Sequence, residues 1–339
     1  MKLGLIARCE IARGISLQSH NFYTHMPVDR VLLVRMPRPQ TAENPGWYKN
    51  RTEVAYDDRT HRLPEDVVRG WLDGLDAVFC VETPHDWRIP LWCKQAGVKL
   101  IVQGNPEFVR HGLPGFEDMA HPDRWWWPTR WRMDHLPKGD WMPVPMDRRP
   151  AQPPPDDGRL HVLHVMGMGA FADRNGTLLL SEATRLIQGK VTVHVHGAEG
   201  ALPEFRRSRD VQVVLEPKAV EDRWKMYDGK HLLVLPRRYA GLCLPAIEAH
   251  AAGLAVMMPD CSPNTELADF LMPVTRLRTI NLACGPVHAA EVSSPSIAAE
   301  ISALATKIDK VNEIRRESKL LHTWDAWQPK YMKALEGLL

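Results

Sequence analysis

The chain has no apolar run approaching the roughly 18 residues that a membrane-spanning helix needs, so no segment reads as a span. It has no Cys-x-x-Cys pair either; its six cysteines, at positions 9, 80, 93, 243, 261 and 284, are scattered. Four of them lie within or beside apolar runs, which points to free buried thiols in a reducing compartment. Excess charge is also scarce: 43 Lys and Arg against 41 Asp and Glu leave +2, too little by itself to demand a nucleic-acid partner. The opening MKLGLIARCEIARG carries charges where a signal peptide needs a continuous apolar stretch, so the expectation is a cytoplasmic protein. Low complexity is confined to one proline-rich stretch. With 339 residues, 44% hydrophobic and 25% charged, the composition is that of an ordinary globular protein of two domains.

What the chain does have is alternation. Strand-like runs at 3–7, 30–34, 77–81, 99–102 and 125–127 alternate with helical periodicity over 16–25 and 64–75, the latter opening on Pro-Glu-Asp as a helix start should. That order predicts a mostly parallel sheet covered on both faces. Residues 142–158, MPVPMDRRPAQPPPDDG, read as an interdomain linker stiffened by polyproline conformation. A second series follows, with strands at 160–166, 191–196, 211–215, 231–235 and 255–258, and then a helical tail over 297–339 containing Trp324 and Trp327. Two such α/β halves place a ligand in a crevice at the carboxyl ends of their strands.

The most informative segment is 239–259, YAGLCLPAIEAHAAGLAVMMP: a small-residue loop, a short helix carrying Glu248, a glycine break and a buried strand. It puts a carboxylate and several free backbone N–H groups at one helix mouth. The segment resembles the donor-binding segment of GT-B glycosyltransferases of the family 4 kind, in which two glutamates with seven residues between them flank Gly-Phe-Gly-Leu. Glu248 falls on the second glutamate, which in that family accepts hydrogen bonds from the ribose hydroxyls of a nucleotide sugar. Ala240 stands where the first glutamate belongs, and Cys243 where the family has glycine. The resemblance implies that N–H groups of Gly241, Leu242, Cys243 and Leu244 hold phosphate or sugar oxygens. The competing reading of the segment is an ordinary helix and strand with one exposed glutamate.

Upstream, HVMGMGAFADRNG places Gly167 and Gly169 in a tight turn and Arg174 and Asn175 at the start of a helix. This resembles the family's diphosphate loop, with Met168 in the arginine position and Arg174 replacing a lysine. One expected cation is therefore missing, and Arg174, helped by Arg237 or Arg238, is expected to neutralise the leaving diphosphate. His196 and Gly197 match the family's turn after the next strand. The same glycines fit a dinucleotide fingerprint with Glu199 as its acidic residue, which keeps NAD binding as an alternative.

In the first half, Arg8, Glu10, Arg13, Gly14 and Ile15 follow the first strand, and the resemblance implies an acceptor-side loop that also approaches the donor phosphates. Surface salt bridges are the alternative. Glu82 and His85 in VETPHDW follow the third strand, with His85 a base, a sugar-orienting group or a capping residue. Asn105 and Glu107 are weaker candidates of the same kind. Tryptophans interleave with Arg124, Arg130, Arg132 and Lys138 over 123–141, either as stacking platforms beside cations or as a core strand with solvated arginines.

A metal receives little support. The chain contains no Asp-x-Asp, by which the other large glycosyltransferase fold holds its ion, and His194 and His196 alternate on one strand without acidic neighbours in sequence. The resemblance, to a subset found in phage and bacterial genomes, therefore implies an α/β protein of GT-B architecture: two Rossmann-like domains over 1–150 and 151–310 facing across a crevice, with helices in 311–339 crossing back to the first. It implies a hexosyl- or pentosyltransferase that needs no metal or other cofactor and retains anomeric configuration. The catalytic set is Arg174, His85, Glu82 and Arg238. Its partners are a nucleotide-diphosphate sugar and a hydroxyl-bearing acceptor, with a hydroxymethylated pyrimidine in DNA as the acceptor and a protein or glycan hydroxyl as the alternative. A non-catalytic nucleotide-sugar binder is the remaining reading.

Overall fold

The structure is a computed structural model that describes residues 1–11, 13–39, 41–109, 111, 114–167, 173–197, 203–216, 222–239, 241–282, 285–317 and 320–338. The chain divides into two compact units, the first comprising Met1–Pro145, Asn281–Gly285 and His322–Leu339, the second Met146–Ile280 and Pro286–Leu321.

The first unit is built in the order β1 (Leu3–Ala7), α1 (Gly14–His25), β2 (Val28–Arg35), β3 (Arg51–Ala55), α2 (Glu65–Leu72), β4 (Ala77–Glu82), α3 (Ile89–Ala96), β5 (Lys99–Gly104), β6 (Arg124–Trp127) and β7 (Gly139–Trp141). Among the described residues these strands form one seven-stranded sheet, ordered β3-β2-β1-β4-β5-β6-β7 and parallel throughout. Its central strands β1 and β4 read as unbroken apolar runs because both faces are buried there. Along β1, Leu3 and Leu5 face the cluster that holds Phe22 of α1, while Ile6 faces Val68 and Trp71 of α2 and Trp92 of α3.

The sheet reverses its strand order between β1 and β4, so the carboxyl ends of those two strands flank the crevice where parallel α/β sheets bind ligands.

The second unit repeats the plan with β8 (Leu160–Gly167), α4 (Thr177–Ala183), β9 (Val191–Gly197), β10 (Val211–Glu216), β11 (Leu232–Val234), α5 (Leu244–Ala252), β12 (Ala255–Pro259) and β13 (Phe270–Met272). Its described strands form a six-stranded parallel sheet, ordered β10-β9-β8-β11-β12-β13, with the reversal between β8 and β11. A hairpin of β14 (Arg276–Leu282) and β15 (Gly285–Glu291) follows, then α6 (Ser294–Ala305) and α7 (Ile308–Glu317). The last helix, α8 (Trp324–Glu336), belongs to the first unit. Trp324, Trp327, Tyr331 and Leu335 enter the core beside Leu3, Leu5 and Phe79, and Gln103 Nε2 donates to the Tyr331 hydroxyl at 2.7 Å.

One alternative is decided here and one expectation corrected. Trp125, Trp126, Trp127 and Trp131 are not stacking platforms but the core residues of the other reading: they are buried, and Trp125 and Trp127 stack on each other at 5.3 Å, whereas Trp141 is half-buried with the Arg130 guanidinium 3.8 Å from its ring centre. Gly139 explains the fit, since a Cβ there would lie 2.4 Å from the Trp125 carbonyl oxygen. Ile15 is not a loop residue either. It lies in the first turn of α1, and its side chain is buried in the core because that position faces the sheet.

The proline-rich stretch has no regular secondary structure. Its later part is held to the second unit by Arg149 N–H donating to the Ala251 carbonyl and Ala151 N–H to that of Ala252.

Candidate functional site

At the reversal point of the first unit, β1 delivers Arg8 and Glu10, and β4 delivers Glu82 and His85. Arg8 and Glu10 form an ion pair, with Glu10 only 1% exposed and its N–H donating to Ser16 Oγ at 3.1 Å. Asn105, beyond β5, donates Nδ2–H to Glu82 Oε1 at 3.3 Å, and Glu107, two residues on, is buried.

Burial raises the Glu82 carboxyl above its ordinary value and the Glu107 charge adds to that; Asn105, Arg13 and Arg8 pull it back. Burial, followed by the Arg8 charge, lowers His85 to about 3, so its ring is neutral at neutral pH. Arg13 is lowered by burial and then by Arg8.

Glu82 and His85 both lie in the left-handed region, at φ +68° and +62°. Non-glycine residues adopt it at a cost of about 1 to 3 kcal/mol and cluster at functional sites. Among the described residues the His85 Nε2 has no hydrogen-bond partner. The structure thus brings Arg8, Glu10, Arg13, Glu82, His85, Asn105 and Glu107 into one electrostatic cluster, with Gly14 opening α1 beside it.

In the second unit the loop after β8 meets the loop after β11. Gly167 ends β8 at φ +65°, and Asn175 spans back to it, donating Nδ2–H to the Val165 and Met166 carbonyls at 3.2 and 3.1 Å. Gly176, at φ +73°, packs so closely on Pro236 that a Cβ would lie 2.5 Å from the Pro236 Cβ. Arg238 N–H donates to the Arg174 carbonyl at 2.9 Å, and the Arg238 charge also acts on Asp173, whose carboxyl burial raises. Arg237 is 3% exposed, its guanidinium donates to the Leu242 carbonyl, and Asn264 Nδ2 donates to its backbone oxygen at 2.9 Å. The Arg238 guanidinium also reaches Glu291 of β15 at 4.0 Å. Gly241, Leu242 and Cys243 then lead into the open first turn of α5, whose N-cap Cys243 makes no side-chain cap bond. The Arg237 guanidinium, the backbones of Arg174 and Arg238 and the N-terminus of α5 thus lie at the carboxyl ends of β8 and β11, where a helix N-terminus favours an anion. Gly169 lies outside the described residues, as do Met168, Ala240 and Glu199.

Glu248 lies on α5 and is 2% exposed, against the exposed glutamate of the competing reading. Its Oε2 accepts from Arg223 Nη2 and from the Tyr227 hydroxyl, the latter at 2.8 Å. Both partners lie on the short helical turn Arg223–Tyr227, more than twenty residues upstream. No motif announces them, and only the tertiary fold pairs them.

His194 and His196 do have an acidic partner: both face Glu216 of β10, His194 Nδ1 at 3.6 Å from Oε1 and His196 Nε2 in closer contact with Oε2. His161 Nδ1 lies 3.3 Å from His194 Nε2, and its Nε2 faces Asp157. Sequence reading missed Glu216 because the pairing is set by the β9–β10 register, Glu216 opposite His196. Among the described residues no group of three or more His, Cys, Asp or Glu could hold a metal ion. No helix there is long and apolar enough to cross a membrane.

No protein-family model matches the chain, and no curated protein matches it in sequence. Solved structures do. The Anabaena protein HepE in complex with UDP-glucose aligns at TM-score 0.71 and 12% identity, over 99% of this chain and 100% of that one. Sucrose-phosphate synthase from Thermosynechococcus elongatus aligns at 0.65 and 13%, over 100% and 99%. The lipopolysaccharide outer core galactosyltransferase WaaB, in its apo form, aligns at 0.55 and 13%, over 96% and 93%. The fold is therefore the GT-B fold of glycosyltransferases, two Rossmann-like α/β units each built on a parallel sheet.

Proposed function

We propose that this chain is a glycosyltransferase that uses a UDP-sugar, the second unit holding the donor and the first supplying the acceptor-side groups. The observation that carries the reading is the meeting of the Arg174 loop with the Arg237–Arg238 loop at the strand-order reversal of the second sheet, with the Arg237 guanidinium beside the N-terminus of α5. Such a site suits a diphosphate, whose negative charge grows as the bond to the sugar breaks. The HepE complex with UDP-glucose, of the same fold, supports the choice of donor.

In the proposed step the anomeric carbon to oxygen bond breaks and its electron pair leaves on the diphosphate. The acceptor oxygen bonds to the anomeric carbon on the same face, and its proton passes to the departing phosphate oxygen. Retention follows. The arginines take the charge that a divalent ion carries in other transferases, so EDTA should leave the rate unchanged.

His85, neutral because burial holds its pKa near 3, orients sugar hydroxyls through Nε2. Glu82, raised by burial and held by Asn105 Nδ2, ends β4 in the same cluster and faces the same sugar.

For the acceptor we propose a hydroxymethylated pyrimidine in DNA, flipped from the duplex. Arg124, Arg130 and Lys138 are exposed and available to phosphates, with Arg130 stacked over the half-buried Trp141 ring, while Trp125, Trp126, Trp127 and Trp131 are core residues. Phosphate contacts make activity fall steeply with added salt. The test is incubation with UDP-sugars and hydroxymethylated DNA, digestion to nucleosides and mass spectrometry, with peptide and glycan acceptors in parallel. A sugar mass increment on the nucleoside supports the DNA acceptor; an increment on another acceptor replaces it, and UDP release with no acceptor panel member overturns transfer to any of them.

A further inference from the structure

We infer that Arg223 and Tyr227 are positioning residues that hold Glu248 by one oxygen and present the other to the ribose hydroxyls of the nucleotide, which makes the turn Arg223–Tyr227 the element that distinguishes ribose from deoxyribose. The inference rests on the donor reading above and goes beyond it by assigning residues that carry no motif.

Both protein donors, Arg223 Nη2 and the Tyr227 hydroxyl, converge on Glu248 Oε2. Oε1 receives no protein donor among the described residues, and it is not among the buried atoms left without a partner. The division is chemically directional. A carboxylate accepts only, and a sugar hydroxyl can donate to it, so the open oxygen is an acceptor for a diol. The side chain cannot swing to satisfy itself elsewhere: Glu248 is 2% exposed and Tyr227 is fully buried in the cluster of Leu163, Leu233, Ala246 and Ala249.

Charge reinforces geometry. Glu248, as the largest Coulombic contributor after burial, keeps Arg223 cationic, and burial raises the Tyr227 phenol well above its ordinary value, so both remain donors at neutral pH. On the helix, Glu248 is one turn in from Leu244, and Cβ vectors tilt toward the helix N-terminus, where the Arg237 guanidinium donates to the Leu242 carbonyl. One ligand with a diphosphate at the α5 N-terminus and a ribose beside it satisfies both features.

The test is calorimetric titration of the full chain with UDP and with 2′-deoxy-UDP, in the wild type, in Tyr227→Phe and in Arg223→Lys. Hydrogen bonds to a charged group make the wild type prefer UDP by roughly tenfold or more. Tyr227→Phe removes one hydroxyl and keeps the ring, and Arg223→Lys keeps the charge and loses the planar donor fork. In each folded variant the preference should collapse to within about threefold, through weaker UDP binding at unchanged 2′-deoxy-UDP binding. A purely structural role lowers the melting temperature and leaves the ratio where it was. An unmoved ratio in either folded variant, or a wild type that binds both nucleotides equally, overturns the assignment. Binding of neither nucleotide by the wild type overturns the donor reading itself, and with it this one.

Discussion

The backbone N–H of Arg238 donates to the carbonyl oxygen of Arg174 at 2.9 Å, which ties the loop after β8 to the loop after β11. The backbones that carry two arginines from distant sequence segments are thereby anchored to each other. Arg174→Ala keeps that backbone bond and removes only the side chain. It should lower kcat by about a hundredfold, the usual cost of losing one group that stabilises developing charge. Binding of uridine monophosphate should change far less. Equal losses in both measurements would reduce Arg174 to a ground-state contact.

Glu248→Ala is expected to do more than weaken donor binding. Arg223 is 20% exposed at its side chain, and removing its partner leaves a largely buried cation unpaired. Breaking such a pair from one side costs about 3 to 5 kcal/mol. Urea unfolding should therefore show a marked loss of stability in Glu248→Ala, and a smaller one in Glu248→Gln, which still accepts from Tyr227.

Stability should depend on pH in one direction. Burial lowers His85 to about 3 and His164 and His231 to about 4, against an unfolded value of 6.5. His164 is locked as a neutral ring, with Nδ1 at the Val234 carbonyl and Nε2 at Thr177 Oγ1, both at 2.9 Å. A folded value below the unfolded one means that the unfolded chain takes up protons first. The stabilisation is complete above pH 6.5 and is lost as the pH falls from there toward 4, each histidine contributing at most about 1.4 kcal/mol per pH unit. Melting at pH 8 and pH 5 checks this: the lower temperature should be at pH 5, and His164→Asn should flatten the dependence.

Gly176→Ala should destabilise the second unit by about 1 to 3 kcal/mol, because the residue sits at φ +73° and the new methyl meets Pro236. The same change displaces Arg174 and Asn175 from the site, so UDP affinity and melting temperature should fall together, read by calorimetry and thermal unfolding.

Much of the architecture is legible in the sequence because buried parallel strands are continuous apolar runs: 3–7 and 77–81 match β1 and nearly all of β4. Strands β3 and β7 escape notice. RTEVA and GDW are short and polar, and each forms at a sheet edge where one neighbour suffices. The hairpin of β14 and β15 carries exposed residues such as Leu277 and gives no buried-strand signal. At the sites, residues directly after strands were readable, since their place follows from the fold plan. Arg223, Tyr227 and Glu216 were not, because their partners lie across turns and registers that only tertiary packing fixes. For the tryptophans of β6 the sequence left a core strand and stacking platforms open, and only the structure, which buries three consecutive rings on both faces of the sheet, decides for the core.

The central claim is that the second unit binds a nucleotide-diphosphate sugar, and thermal unfolding of the full chain against a panel of nucleotide sugars, with NAD alongside, tests it most directly. Ligands that bind only the folded state raise the melting temperature with concentration. The account predicts a saturable rise with one or more UDP-sugars, abolished in Arg237→Ala, and no rise with NAD. A rise with NAD alone, or none with any nucleotide sugar at millimolar concentration, would contradict it.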